Sequence, residues 1–342
     1  MSDKFCIFCG EKPKDKNLEH VIPQWLIKMT GREKGDVFSL YPDAKMHIPF
    51  MRFTFPACTK CNTKYAHMEA LVKPVLERVL SGQFISGADA SLLMDWFDKV
   101  RIGLWLTNMY YNPKLKQEIV PHFFIDSRVA KTDRMLSIQK LQLSAPENKG
   151  IYFNGTKTQL FNYCPSAFTM VINDYYFFNA SNNNLVSPRV GFPGLAEAKV
   201  EDEDNGVLSA KFIPGRHKIA NPVIQTFVPH KESITFYQPI YRDYLCSPDF
   251  PKDDYVAEHS YDTANGLGGV FVQKGNENNI RYLQSDDKVG TKLHISPFPD
   301  LTQDILKFQN AVQNKSIVSS PDATLGAKIN EFMLENINNH QK

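Results

Sequence analysis

Hydrophobic positions fall into three textures along these 342 residues. Up to about residue 63, apolar residues come in short pieces broken by prolines at 13, 23, 42, 49 and 56, with no sustained periodicity. From Asn62 the spacing turns helical, with Tyr65, Met68, Val72, Val75, Leu76 and Val79 on one face. Pro74 lacks an N–H for the preceding turn, which predicts a kink or a break into two helices. Ser81-Gly82 closes the stretch. A second helix is read from "SLLMDWFDKVRIGLWL", where Leu93, Trp96, Phe97, Val100 and Leu104 recur at helical spacing. Asp95 and Lys99 are an i,i+4 pair suited to an exposed edge, and Asn112-Pro113 ends the helix. A third amphipathic helix is expected over 126–142, capped by Asp126 or Ser127.

After residue 150 short β-rich runs take over: "IYF", "QLFNY", "AFTMVI", "YYFFNA", "SAKFI", "SITFY", "GGVFV" and "IRYLQ". Turn pairs separate several of them, at Asn154-Gly155, Asn173-Asp174, Asn205-Gly206 and Lys274-Gly275. "TMVINDYYFF" reads as a hairpin. Two helical stretches, around 301–313 and 322–338, finish the chain. The expected fold class is α+β: an N-terminal module (1–82), a helical connector (83–148) and a mixed α+β domain (149–342).

Composition adds little until it is resolved by position. Net charge is +2, but residues 1–80 hold 13 Lys/Arg against 9 Asp/Glu, a mild excess that favours a phosphate-rich partner there. No apolar run reaches the length of about 18–20 residues that a bilayer demands, so no membrane partner is expected. The first ten residues lack the apolar core of a signal peptide, which predicts a cytoplasmic protein.

Four of the six cysteines form two Cys-x2-Cys pairs, Cys6/Cys9 and Cys58/Cys61. In a reducing compartment that spacing reads as four thiolates closing a tetrahedral structural zinc site. The intervening 48 residues do not prevent closure, because loop entropy grows slowly with length. Cys164 and Cys246 read as small core hydrophobes. Between the zinc pairs lies Glu19-His20-Val21-Ile22-Pro23, and Asn62 follows the second pair directly.

This combination, over about residues 4–70, resembles the HNH endonucleases, whose ββα-metal core is often braced by two such cysteine pairs. The resemblance implies His20 as general base, with Glu19 and Asn62 holding a catalytic Mg²⁺ or Mn²⁺. His67 and Glu69, further along the same helix, are either additional ligands or solvent-facing residues. Chemistry is consistent with these roles: hydrolysing a phosphodiester needs a deprotonated water and a cation offsetting charge on the departing oxygen. Imidazole titrates near neutrality and suits the base; a carboxylate and an amide oxygen suit a hard cation. Adjacent strand residues point to opposite faces, so Glu19 and His20 serve one phosphate only if the strand bends or the metal sits at its edge. The family's middle asparagine, which steadies the loop beside the histidine, has no counterpart in "MRFTFPA" before Cys58. The loop from Pro23 to Cys58 is long and carries "TGREKGD" and His47.

The expected function is therefore a metal-dependent endonuclease acting on DNA, in the manner of bacterial restriction or anti-phage defence. Lys28, Arg32 and Lys34 are candidate phosphate contacts, and Lys12, Lys14 and Lys16 share that reading. Aromatic residues of 150–290 either stack unpaired bases or build a β-core. A double-strand break would call for two sites, hence a homodimer. Two alternatives stand beside this: a non-catalytic zinc module binding DNA or a protein, and a nuclease gated by a small-molecule activator on the C-terminal domain.

Overall fold

The computed structural model describes residues 4–15, 17–37, 48–112, 121, 124–128, 133–143, 149–181, 194–202, 207–213, 232–238, 269–275, 277, 280–296, 301–313 and 321–340. His47, Cys246 and the Asn205-Gly206 turn lie outside them. The N-terminal part is built on an antiparallel ribbon of β1 (Leu18–His20) and β4 (Thr54–Pro56), with Glu19 opposite Phe55 and His20 opposite Thr54. Between these strands run α1 (Gln24–Met29), the pair β2 (Asp36–Val37) and β3 (Ile48–Pro49), and a 3-10 turn over Phe50–Arg52.

Helix α2 (Thr59–Leu80) starts three residues after β4. It buries Tyr65, Val72, Val75, Leu76 and Val79, as the periodicity predicts, and Ser81 caps it. Pro74 does not divide it. Pro74 and Ala70 are both exposed, so water can serve the carbonyl that loses its helical partner.

After β5 (Phe84–Ser86), helix α3 (Gly87–Tyr111) opens on a reciprocal cap: Asp89 N–H donates to Ser86 Oγ at 3.1 Å and Ser86 N–H to Asp89 Oδ2 at 2.8 Å. It is buried from Trp96 to Met109 without interruption, a central helix rather than a surface one. The expected exposed Asp95/Lys99 pair is absent. Lys99 turns inward to Glu19 and Glu69, and Asp95 pairs with Arg134 at 2.6 Å.

The segment expected as a third helix holds only α4 (Ile125–Arg128) and then strand β6 (Arg134–Leu141). Met135, Leu136, Ile138 and Leu141 have helical spacing, but a strand covered on both faces needs no alternation, and β6 is such a strand. It lies mid-sheet in the order β14-β13-β12-β6-β9-β8-β7, with β16 parallel to its end. The other strands are β7 (Ile151–Asn154), β8 (Ala167–Ile172), β9 (Tyr175–Ser181), β12 (Ile234–Gln238), β13 (Val270–Lys274), β14 (Arg281–Leu283) and β16 (Ile295–Ser296). A separate ribbon pairs β10 (Gly194–Asp202) with β11 (Val207–Ile213), and β15 (Lys288–Gly290) pairs with β5. The hairpin in "TMVINDYYFF" is present, Asn173 adopting φ 56° in its two-residue turn. "QLFNY" is not a strand but helix α5 (Gln159–Tyr163), because Thr158 Oγ1 caps it by accepting from Phe161 N–H at 3.2 Å.

Helices cover both sheet faces. Helix α3 packs Phe97 against Phe177 (4.9 Å between ring centroids), and α6 (Leu301–Gln313) packs Phe308 against Phe178 on the other side. Helix α7 (Pro321–His340) follows. Phe168, Phe177, Phe178, Phe236 and Tyr237 are buried, so these aromatics build the core. The N-terminal part closes on the far side of α3, where Gly103 admits Val21: a Cβ there would stand 3.1 Å from Val21 Cγ1. Among the described residues no helix is long and apolar enough to cross a membrane.

Candidate functional site

The two Cys-x2-Cys pairs converge. Their four Sγ atoms lie within 4.8 Å of one another, with Cys6 and Cys58 Sγ 3.8 Å apart. Zn–S bonds of about 2.3 Å make a tetrahedron with edges of about 3.8 Å, whereas a disulfide would bring the sulfurs to about 2 Å. The first pair is held as a knuckle: Gly10 N–H returns to the Cys6 carbonyl at 2.8 Å and Ile7 N–H bonds the Pro56 carbonyl at 3.0 Å. Gly10 sits at φ 80° against the Phe124 ring, where a Cβ would come within 2.3 Å, so only glycine fits.

The second pair straddles the start of α2, whose N-cap is Cys58. A cysteine committed to a metal cannot cap, and the missing acceptor comes from afar: Thr59 N–H donates to Asp15 Oδ2 at 3.1 Å. The hydrogen bonds from Thr59 hold the Asp15 carboxyl below the usual range. Burial pushes the Cys6 and Cys61 thiols up, so thiolates there are favoured only beside a cation. Cys58 N–H donates to Cys6 Sγ at 3.3 Å, and Tyr65 OH donates to Asp126 Oδ1 at 2.7 Å beside Cys61.

His20 stands at the end of β1, half-buried. Its Nε2 lies 3.3 Å from the Met51 carbonyl and 3.2 Å from Gln24 Nε2. Nε2 can serve only one of these partners: donating to Met51 O leaves the lone pair of the neutral ring on Nδ1, whereas accepting from the Gln24 amide leaves it on Nε2. Met51 belongs to the stretch "MRFTFPA" before Cys58, and it is its backbone carbonyl, not a side chain, that meets the ring. Asn62, in the first turn of α2, is engaged at Nδ2 with Asn17 Oδ1 at 3.2 Å.

Glu19 points the other way and is buried. It forms an ion pair with Lys99, which also holds Glu69 at 2.5 Å. Burial alone would lower the Lys99 pKa, but Glu69 and Glu19 outweigh it and raise it. Desolvation pushes the Glu69 carboxyl up, reinforced by the charge of Glu19 and opposed by Lys99. His67 is exposed.

Lys28 and Lys34 are exposed, whereas Arg32 bonds Tyr152 Oη through Nη2 and stacks its guanidinium 5.2 Å from that ring. An open hollow of about 610 Å³ is lined by Gln24, Trp25, Lys28, Met29, Lys73 and Glu77. Among the described residues the four cysteines are the one group of three or more His, Cys, Asp or Glu side chains disposed to share a metal ion. Comparison with protein families, curated proteins and solved structures finds no match to this chain.

Sequence reasoning missed Met51, Gln24 and Lys99. The Met51 contribution is a carbonyl, which no side-chain pattern encodes. Lys99 was read from the sequence as the exposed i,i+4 partner of Asp95, and its inward turn to Glu19 and Glu69 was not.

Proposed function

We propose that this chain is a zinc-braced endonuclease of the HNH type that hydrolyses phosphodiester bonds in DNA, with His20 as general base. The observation that carries the reading is the placement of His20. It ends the first strand of an antiparallel ribbon, faces away from the buried Glu19, and is oriented by a backbone carbonyl, while α2 follows directly from the four-cysteine cluster. Ribbon, cluster and helix occur in the order the family resemblance implies. The hollow lined in part by Gln24 carries exposed Lys28, suited to a phosphate group.

In the step proposed, the tautomer that donates Nε2–H to Met51 O leaves Nδ1 of His20 to take a proton from water as the water oxygen attacks phosphorus. One P–O ester bond breaks, and the departing alkoxide is protonated from solvent. Zinc fits the four thiolates and acts as a brace, with no part in the reaction. The resemblance also assigns Mg²⁺ or Mn²⁺ to Glu19 and Asn62, and these residues do not fit that assignment as arranged. Glu19 is committed to an ammonium. A cation brought within about 4 Å of Lys99 Nζ meets repulsion of roughly 4 kcal/mol per unit charge pair at an effective dielectric of about 20.

Supercoiled plasmid incubated with purified protein and Mg²⁺ or Mn²⁺ tests the reading. The expected outcome is nicking that falls at least about 100-fold in His20→Ala while zinc content and fold persist. Equal residual activity in both proteins would remove His20 from the reaction. Absence of cleavage by the wild type would favour a zinc module that binds without cutting.

A further inference from the structure

We propose that Lys99 is the resident cation of this site. Its ammonium bridges Glu69 to Glu19, the carboxylate to which the family resemblance assigns a divalent metal ion, and Glu19 thereby becomes a positioning group for the strand that carries His20. The inference rests on reading residues 4–70 as an endonuclease site.

Three elements meet at this ammonium: β1 supplies Glu19, α2 supplies Glu69 and α3 supplies Lys99. Lys99 is 1% exposed and lies 5.8 Å from the Phe8 ring, which stacks on Tyr65 behind the cysteine cluster. The carboxylates keep the ammonium protonated against the pull of burial. Neighbouring strand residues face opposite ways, so anchoring Glu19 inward sets His20 outward, toward Met51 and Gln24. With Lys99 charged the triad carries one net negative charge. Without Lys99 a buried carboxylate, Glu19, and a partly buried one, Glu69, would converge on a gap, the arrangement a divalent ion satisfies.

The test uses full-length, zinc-loaded protein with Mn²⁺ as the probe, free and bound ion being distinguished by electron paramagnetic resonance. Glu19→Gln is expected to leave Mn²⁺ affinity within about twofold of wild type, because Glu19 is not a ligand. Lys99→Met, checked for native zinc content and circular dichroism, is expected to gain a Mn²⁺ site at least about tenfold tighter than any in the wild type. The double variant with Glu19→Gln is expected to lose that site. A loss of about tenfold or more in Glu19→Gln alone would overturn the proposal. So would a folded Lys99→Met protein that gains nothing. Where Lys99→Met does not fold, the Glu19→Gln comparison decides. Plasmid nicking on the same samples separates the two readings. His20-dependent nicking with the Mn²⁺ pattern reversed sinks this inference alone, and the expected Mn²⁺ pattern without nicking sinks the endonuclease reading alone.

Discussion

Glu69 shares the single positive charge of Lys99 with Glu19. Burial and the neighbouring carboxylate raise its pKa in the folded state. The sign follows from linkage: an acid whose pKa rises on folding binds protons more tightly when folded, so its charged form costs stability above the folded pKa. The cost shrinks as pH falls through that pKa and is gone below the ordinary carboxylate range. Relative to Glu69→Gln, the wild type is therefore expected to gain stability as pH is lowered from neutral toward the ordinary carboxylate range, read as a change in the difference of their Tm values. A difference that stays constant, or moves against the wild type, would show that the Lys99 ion pair fully offsets the burial of Glu69. At this scale the convergence of the four cysteines was legible because residue type and spacing carry their chemistry. Their environment was not, since Asp15 reaches Thr59 across 44 residues and Lys99 reaches Glu19 across 80.

Among the elements, α3 holds the rest in register. Lys99 ties it to the N-terminal ribbon, while Asp98 bonds Arg101 at 2.8 Å and Arg134 of β6 at 3.2 Å on the sheet side. Asn179 of β9 donates to Asp98 at 3.2 Å, and Gln238 of β12 accepts from Arg134 at 2.6 Å. Asp98 is 0% exposed and serves two buried guanidinium groups. Asp98→Ala is expected to cost about 3–5 kcal/mol, the range for removing one partner of a buried pair, by equilibrium denaturation. A cost under about 1 kcal/mol would mean that water or Asp95 takes over. The helices α2 and α3 were legible because their apolar faces repeat over several turns. β6 was not: a strand buried on both faces has no alternation, and its apolar positions mimic a helix. α5 was missed for a different reason, since five residues are too few for periodicity and a cap at Thr158 decides the outcome.

For the whole molecule, the consequential feature is that one apolar core runs from the cysteine cluster to the sheet. Cys6, Ile7 and Phe8 belong to the same packed cluster as Trp96, Phe97, Phe177 and Phe236. The three textures of the sequence suggested separable parts, because composition changes along the chain while packing joins residues distant in it. Structural zinc in small modules is worth about 10–16 kcal/mol, comparable to the 5–15 kcal/mol that keeps an ordinary domain folded. Chelating a metal held by the four cysteines would release the Cys6/Cys9 turn from the start of α2 and loosen the β1–β4 ribbon against the side of α3 that carries Lys99. An independent module would then melt alone and leave the sheet's transition unchanged. A shared core predicts otherwise: chelation lowers the Tm of near-ultraviolet circular dichroism, which reports Trp96 and Trp105 in α3 together with Trp25 of α1 packed against Trp96, by about 10 °C or more, and in the same transition as the far-ultraviolet signal. Two separated transitions, the later one at the original temperature, would show that α3 and the sheet stand without the cysteine cluster. Coupling between the site and the sheet domain would then have no physical basis in the core.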